Sequence, residues 1–207
     1  AALKEGENIM KDSIHKYFQV GTIQWMTHPK RDVVRSVREI ACDDFFDAIE
    51  VKTCPDPVQR EEIKRILQQS HMKVCYGAQP ILLGGKLNPN AIDEKERQKA
   101  EQALIGALAE AQELGAKGVA FLSFKQAYEN LLETTRNVCT AAEAMGMMVE
   151  LEVFDFDMDK AALIGPAPLA ARFAADMRMT HNNFGLLVDL SHFPTTYETS
   201  RFVIRTV

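Results

Sequence analysis

The sequence predicts an α/β protein in which six strand-then-helix units build a parallel sheet, and it favours a (β/α)8 TIM barrel over an open, doubly wound sheet. Short apolar runs alternate with helical patterns along the chain. No glycine-rich phosphate loop follows any of these runs, which argues against an open nucleotide-binding sheet. Acidic residues end several of them, as in barrels whose active sites lie at the carboxyl ends of the strands.

The composition is that of an ordinary globular protein, and we expect residues 1–207 to form one domain. Hydrophobic residues make up 46% of the chain, and its net charge of −5 is unlike the basic surface of a nucleic-acid binder. No apolar run reaches the roughly 18 residues of a membrane span, and the N-terminal residues lack a signal-peptide apolar region. We therefore expect a cytoplasmic protein without nucleic-acid or membrane partners.

The first half of the chain supplies three predicted strands. They are Phe18–Trp25, Asp47–Lys52 and Lys73–Ala78. Helices are predicted between them, over Asp32–Ala41 and over Pro57–Ser70, where a proline suits the first helical turn. The following stretch, QPILLGGKLNPNAI at 79–92, is predicted to be an irregular loop that is long enough to carry a function.

The second half supplies three more strands and the most regular helix. The strands are Gly118–Leu122, Val149–Phe154 and Phe184–Leu190. Apolar residues at three- and four-residue steps predict a helix over Asp93–Leu114, and Gly115 follows where a helix commonly ends. Further helices are predicted over Lys125–Met145 and Pro168–Met179, and Thr199–Val207 resembles the start of another.

Two acids at the ends of the fifth and sixth strands form the core of the predicted site. Side chains alternate between faces along a strand, so Asp189 shares a face with Leu187, and Glu152 shares one with Glu150. A buried carboxylate needs a partner, because its desolvation costs several kcal/mol. If the strands are neighbours, about 4.8 Å apart, Glu152 and Asp189 reach one point, and a divalent cation would keep both ionised.

Other side chains are predicted to line the same pocket. Glu50 and Lys52 share one face of the second strand, while Trp25 and His28 follow the first strand and would form a wall. Plain core packing is the alternative for Trp25. Glu150 lies one layer deeper than the predicted metal site, so a structural role, such as pairing with Lys52, is the preferred interpretation.

The acidic run at Asp155, Asp157 and Asp159 has the spacing of a calcium loop but lacks its other residues. Lys160 stands where the loop needs glycine, and Pro166 stands where it needs glutamate, so an EF-hand is rejected. We interpret the run as a polar active-site loop in which Asp155 lies nearest to the metal.

The chain is short for a barrel. A complete (β/α)8 barrel usually needs about 250 residues, and six units would leave the first and sixth strands with bare edges. We expect the last two βα units to be missing because the chain is cut short. The alternative is a homo-oligomer or a partner subunit that covers the gap.

The order of the elements, the LEV sequence centred on Glu152 and the DLSH sequence from Asp189 to His192 resemble the xylose-isomerase-like TIM barrels. This family of sugar phosphate isomerases and epimerases includes the ketose 3-epimerases and, more distantly, endonuclease IV. In it, a glutamate ending strand five and an aspartate ending strand six bind a divalent metal, and the histidine three residues later meets the substrate. The resemblance implies that Glu152 and Asp189 are metal ligands and that His192 contacts a substrate oxygen.

The resemblance also implies a reaction. A divalent cation, Mn²⁺, Mg²⁺ or Co²⁺ with Zn²⁺ as a further option, would bind the carbonyl and adjacent hydroxyl of a sugar or polyol while Glu152 removes the neighbouring proton. The family adds a histidine from strand seven and a glutamate from strand eight, so this chain holds at most half of the ligands and is expected to bind metal weakly or not at all. The alternatives are a lyase or C-glycoside-cleaving subunit, a DNA-repair enzyme, and a non-catalytic barrel that associates with a partner.

Overall fold

The computed structural model describes residues 13–124, 127–156 and 161–207. Six parallel strands form one sheet in chain order, as the sequence predicts. The strands are β1 (Gly21–Ile23), β2 (Ala48–Lys52), β3 (Lys73–Gly77), β4 (Gly118–Leu122), β5 (Met148–Val153) and β6 (Phe184–Val188). Helices connect successive strands, which is the arrangement of a (β/α) barrel.

The described α-helices lie mostly between the strands. They are α1 (Gln24–Thr27), α2 (Val33–Ala41), α3 (Pro57–Gln69), α4 (Gln79–Gly85), α5 (Glu94–Glu113), α6 (Tyr128–Glu143), α7 (Ala167–Arg178), α8 (Phe193–Thr196) and α9 (Ser200–Thr206). Short 3₁₀ helices span Ile14–Lys16 and Leu190–His192. None of the described helices is both long and apolar enough to cross a membrane.

The two faces of the sheet carry different side chains because of the two-residue period of a strand. In β5, Val149, Leu151 and Val153 are buried in the core between sheet and helices. Glu150 and Glu152 point to the opposite, concave face. Glu152 pairs in register with Leu187 of β6. Asp189 follows two positions later, so it extends on the same face just beyond the end of β5.

Helix α5 forms where the apolar spacing predicts it. Asp93 caps its first turn by accepting a hydrogen bond from the backbone amide of Glu96. Leu104 and Leu108 are fully buried on its inner side. Gly115 follows the helix with a φ of 81°, a left-handed conformation that glycine adopts without a steric cost.

Three predicted segments differ from the structure. The first strand was expected over Phe18–Trp25 but contains three residues, because Phe18 lies exposed and the chain turns into α1 directly after Ile23. The predicted irregular loop at 79–92 contains α4, with Pro80 in its first turn and Lys86 in the left-handed conformation at its end. The sixth strand ends at Val188 because Asp189 caps the following 3₁₀ turn.

The sheet has two open edges in the described part of the chain. Over residues 13–124, 127–156 and 161–207, β1 pairs with β2 alone and β6 pairs with β5 alone. That the chain is a single barrel domain without its last two units remains a prediction.

Candidate active site

A cavity of about 450 Å³ opens at the carboxyl ends of the strands. One side of it is apolar and includes Trp25, Met26 and Leu83. The other side carries the acids and the histidine from the ends of β5 and β6. A concave, largely apolar space with a few convergent polar groups is typical of a small-molecule site.

Glu152 lies at the end of β5 and is 4% exposed. Its Oε2 accepts a hydrogen bond from Nε2 of Gln79 at 2.9 Å. Its Oε1 lies 3.4 Å from Nε2 of His192. The carboxylate therefore contacts a neutral donor on one side and an imidazole on the other.

The two carboxylate oxygens of Asp189 have different partners, one in the backbone and one in the site. Oδ1 accepts a hydrogen bond from the backbone amide of Ser191 at 2.8 Å, which caps the 3₁₀ turn. Oδ2 faces His192, 3.6 Å from its Nε2. A purely structural role, the capping of the backbone, thus accounts for Oδ1 of Asp189. Oδ2 is not used in this capping and faces the histidine.

His192 is held between the two acids and an aromatic ring. Its imidazole stacks on Phe154 with 3.8 Å between ring centroids and 33° between planes. Burial opposes the charged form, but the hydrogen bond to Glu152 and the charge of Asp189 outweigh it, so the pKa of His192 is raised. The two carboxylates therefore shift the proton equilibrium of this imidazole towards its cationic form.

The donor atoms of Glu152, Asp189 and His192 fit a divalent cation. One ligand atom of each residue lies within 4.8 Å of the others. Two carboxylates with one imidazole form a set that Mn²⁺, Co²⁺ and Zn²⁺ accept, and Mg²⁺ favours the oxygens.

Glu50 and Lys52 of β2 lie on the concave face, but neither lines this cavity among the described residues. Glu50 is buried behind Gln79, with its Oε1 3.4 Å from the amide Nε2. Burial and the nearby charge of Glu152 raise the pKa of Glu50 to about 7. Burial also raises the pKa of Glu150. Among the ion pairs of the described residues, none joins Glu150 to Lys52, so the suggested pairing is not seen there.

Of the two predicted wall residues that follow the first strand, the structure brings one into the cavity. Trp25 lines it. His28 turns to the outside of the sheet, where its Nε2 lies 3.2 Å from Oε2 of Glu39 on α2. Trp25 lies within the helical turn α1 and His28 directly follows it, so the turn sends their side chains in different directions.

Asp155 also lines the cavity and is almost fully buried. Its backbone carbonyl accepts a hydrogen bond from the amide of Ala162 at 2.8 Å, and the amide of Phe154 donates to the carbonyl of Ile164 at 3.0 Å. These bonds join the two stems of the segment that follows β5. Asp157 and Asp159, the other members of the acidic run, lie outside the described residues.

Gln79 is the site residue that sequence reasoning missed. It is the first residue of α4 and contacts both Glu50 and Glu152. The available signal was Pro80, since proline is favoured in the first turn of a helix and so could have marked a helix start directly after the third strand.

Comparison with known proteins identifies the fold. No protein-family model matches the sequence, and no curated protein matches it significantly. Among solved structures, a D-psicose 3-epimerase from Clostridium cellulolyticum H10 with D-tagatose is similar at 20% identity and a TM-score of 0.72, over 91% of this chain and 69% of that one.

Two further structures extend the comparison. An IOLI protein with a binding zinc atom has 17% identity and a TM-score of 0.68, over 88% of this chain and 66% of that one. An AP endonuclease, family 2, from Brucella melitensis has 18% identity and a TM-score of 0.72, over 91% of this chain and 75% of that one. This chain thus spans between 66% and 75% of these three proteins. The likeness is one of fold, and this chain has the (β/α) barrel fold of these proteins.

Proposed function

We propose that the protein is a divalent-metal-dependent isomerase or epimerase that acts on a sugar or related polyol. The observation that carries this proposal is the convergence of Glu152, Asp189 and His192 at the rim of the sheet. The neighbouring structures of sugar epimerases support the substrate class, and the IOLI protein with its zinc atom supports a metal site. The cytoplasmic location stays a prediction.

Glu152 and Asp189 would hold the cation, with His192 beside them. Mn²⁺, Mg²⁺, Co²⁺ and Zn²⁺ are the candidates. A bound cation supplies Lewis-acid polarisation of a carbonyl and of the hydroxyl next to it. Its positive charge also compensates the repulsion between two carboxylates that lie close together.

The side chains would then divide the proton transfer between them. Glu152 accepts the proton from the carbon next to the substrate carbonyl, which leaves an enediolate. Nε2 of His192, which lies 3.4 Å from Oε1 of Glu152, would donate a hydrogen bond to a substrate oxygen. Trp25, Met26 and Leu83 would offer apolar surface to the carbon skeleton of the substrate.

The test is solvent exchange at the substrate carbon. The full-length protein, loaded with Mn²⁺ or Co²⁺, is incubated with a panel of free ketoses in D₂O, and deuterium incorporation is followed by NMR. We expect Glu152→Gln to abolish exchange. Glu150→Gln is the matched control, because it makes the same substitution on the same strand and face but one layer deeper, and it should retain exchange.

Undiminished exchange in Glu152→Gln would end the assignment of this residue as the base. Exchange lost equally in Glu150→Gln would show that the loss reflects the fold of β5 instead of proton transfer. Turnover of oxidised glycosides without exchange of free sugars would favour the lyase or C-glycoside-cleaving alternative.

A DNA-repair function is the second candidate, because an AP endonuclease is among the similar structures. The net charge of −5 argues against it, since binding to duplex phosphates relies on basic side chains. Fluorescence anisotropy with abasic duplex DNA at low and high salt decides between the two. Salt-sensitive binding would favour repair, and we expect none.

A further inference from the structure

We infer that Gln79 is a positioning residue that fixes the orientation of the Glu152 carboxylate; the inference rests on the function proposed above. Gln79 begins α4, directly after β3, and is 8% exposed. Its amide nitrogen lies 2.9 Å from Oε2 of Glu152 and 3.4 Å from Oε1 of Glu50. It therefore donates towards both buried carboxylates.

The hydrogen bond determines which oxygen of Glu152 serves the site. Oε2 is engaged by Gln79, so Oε1 is the oxygen turned towards Nε2 of His192, 3.4 Å away. A carboxylate without this donor could rotate about its last bond, because that torsion has a broad energy profile. Gln79 thus keeps one oxygen of Glu152 directed at the rim.

The choice of glutamine suits a cation site. A lysine or arginine in this place would also donate to Glu152, but its positive charge would repel a bound cation. An amide donates without adding charge. It also separates the carboxylates of Glu50 and Glu152, whose mutual repulsion contributes to the raised pKa of Glu50.

The surroundings hold the amide in this position at a cost. Gln79 Oε1 is buried and has no hydrogen-bond partner among the described residues. A buried acceptor without a partner loses the hydrogen bonds that water would give it, which is unfavourable. The amide nitrogen nevertheless faces the two carboxylates, since the reverse orientation would place oxygen against oxygen.

The experiment compares the wild type with Gln79→Met, which keeps an unbranched side chain of similar length and removes the donor. Crystal structures of both proteins without metal are the first readout. We expect the Glu152 carboxylate to rotate, so that the contact of its Oε1 with His192 Nε2 is lost. Co²⁺ titration, followed by the visible absorption of the ion, is the second readout, and affinity should fall by roughly 10- to 100-fold.

Gln24→Met is the matched control. Gln24 is also a buried glutamine, 3% exposed, but its amide donates to Oγ of Ser36 at 2.7 Å. This variant should lose thermal stability while the Glu152 orientation and Co²⁺ affinity stay at the wild-type level. Gln79→Asn with partial recovery of the Co²⁺ spectrum would support a donor at this place.

The outcomes separate the two proposals. If Glu152 keeps its orientation in Gln79→Met, the inference is overturned, whatever the metal does. If the full-length wild type takes up no Co²⁺ even at millimolar concentration, the metal-dependent function fails, and the pair of crystal structures still decides the role of Gln79.

Discussion

Gly77, at the end of β3, allows three side chains to meet below the cavity. A methyl group at this position would overlap Oε1 of Glu50 and the ring of Trp25, and it would lie 2.8 Å from Oε1 of Gln79. These are the groups that support Glu152 and form part of the cavity wall. The absence of a side chain at one residue therefore lets the site assemble.

Gly77→Ala should displace Trp25 and Gln79 and destabilise the protein by about 1 to 3 kcal/mol, as overpacking does. Trp25 is the single tryptophan of the chain, so its emission spectrum reports the displacement directly, and we expect a shift to longer wavelength. Gly84→Ala in α4 is the control, because nothing lies within 4 Å of the added methyl group. Equal spectra and stabilities for both variants would contradict this explanation.

The alternation of side chains along a strand predicts that Glu152 and Asp189 project from neighbouring strand ends, and the structure has them there. Alternation says nothing about side chains beyond the strands. His28 turns away from the cavity because α1 intervenes, and Gln79 enters it because α4 begins immediately after β3. Both depend on backbone turns that the spacing of apolar residues does not encode.

Helices α5 and α6 are joined by a buried arginine. The Arg97 side chain is 2% exposed, and its Nη1 donates to Oε2 of Glu101 at 2.7 Å and to Oγ1 of Thr134 at 2.9 Å. Its Nη2 lies 3.1 Å from Oε1 of Glu133. Acidic side chains on both helices therefore neutralise the charge of Arg97, which compensates for the cost of burying it.

Arg97→Met should lower the free energy of unfolding by roughly 3 kcal/mol, because it leaves the buried Glu101 without its cation. Urea denaturation measures the loss. Arg35→Met is the control, since the Arg35 side chain is 71% exposed and pairs with Glu39 at 2.9 Å; it should cost less than about 1 kcal/mol. Similar losses in the two variants would mean that the buried network does not carry this stability.

Elements differ in how well the sequence predicts them. Helix α5 is long and periodic, so its predicted and observed ends differ by one residue at each side. Helix α4 is short and contains Pro80, Gly84 and Gly85, and its sequence has the composition of a loop. Packing against the neighbouring elements, rather than intrinsic propensity, accounts for a helix of this kind.

The whole molecule is a parallel sheet with helices on its outer face and open edges at β1 and β6 within the described residues. Strand order follows from the alternation of strands and helices, which the sequence shows clearly. Whether the edges are covered depends on chains or segments that the pattern of these 207 residues does not specify. A single barrel domain with two further βα units therefore stays a prediction.

An open parallel sheet presents unpaired backbone groups and should associate. We expect the 207-residue chain, of 23.2 kDa, to show a mass that rises with concentration in size-exclusion chromatography with light scattering. Leu187→Lys, on the concave side of the edge strand β6, should reduce association. Met179→Lys, at an exposed position after α7, should not. A constant monomer mass for the unmodified chain would contradict the expectation.

Stacked against Phe154, the imidazole of His192 depends on the first residue after β5. The stems of the segment that follows are fastened to each other by backbone bonds at Phe154 and Asp155. Because these bonds hold the two stems together, the segment between them is a suitable place for engineered replacements. Grafts that begin beyond Asp155 should leave the stacking of Phe154 on His192, and with it the reactive end of the site, intact.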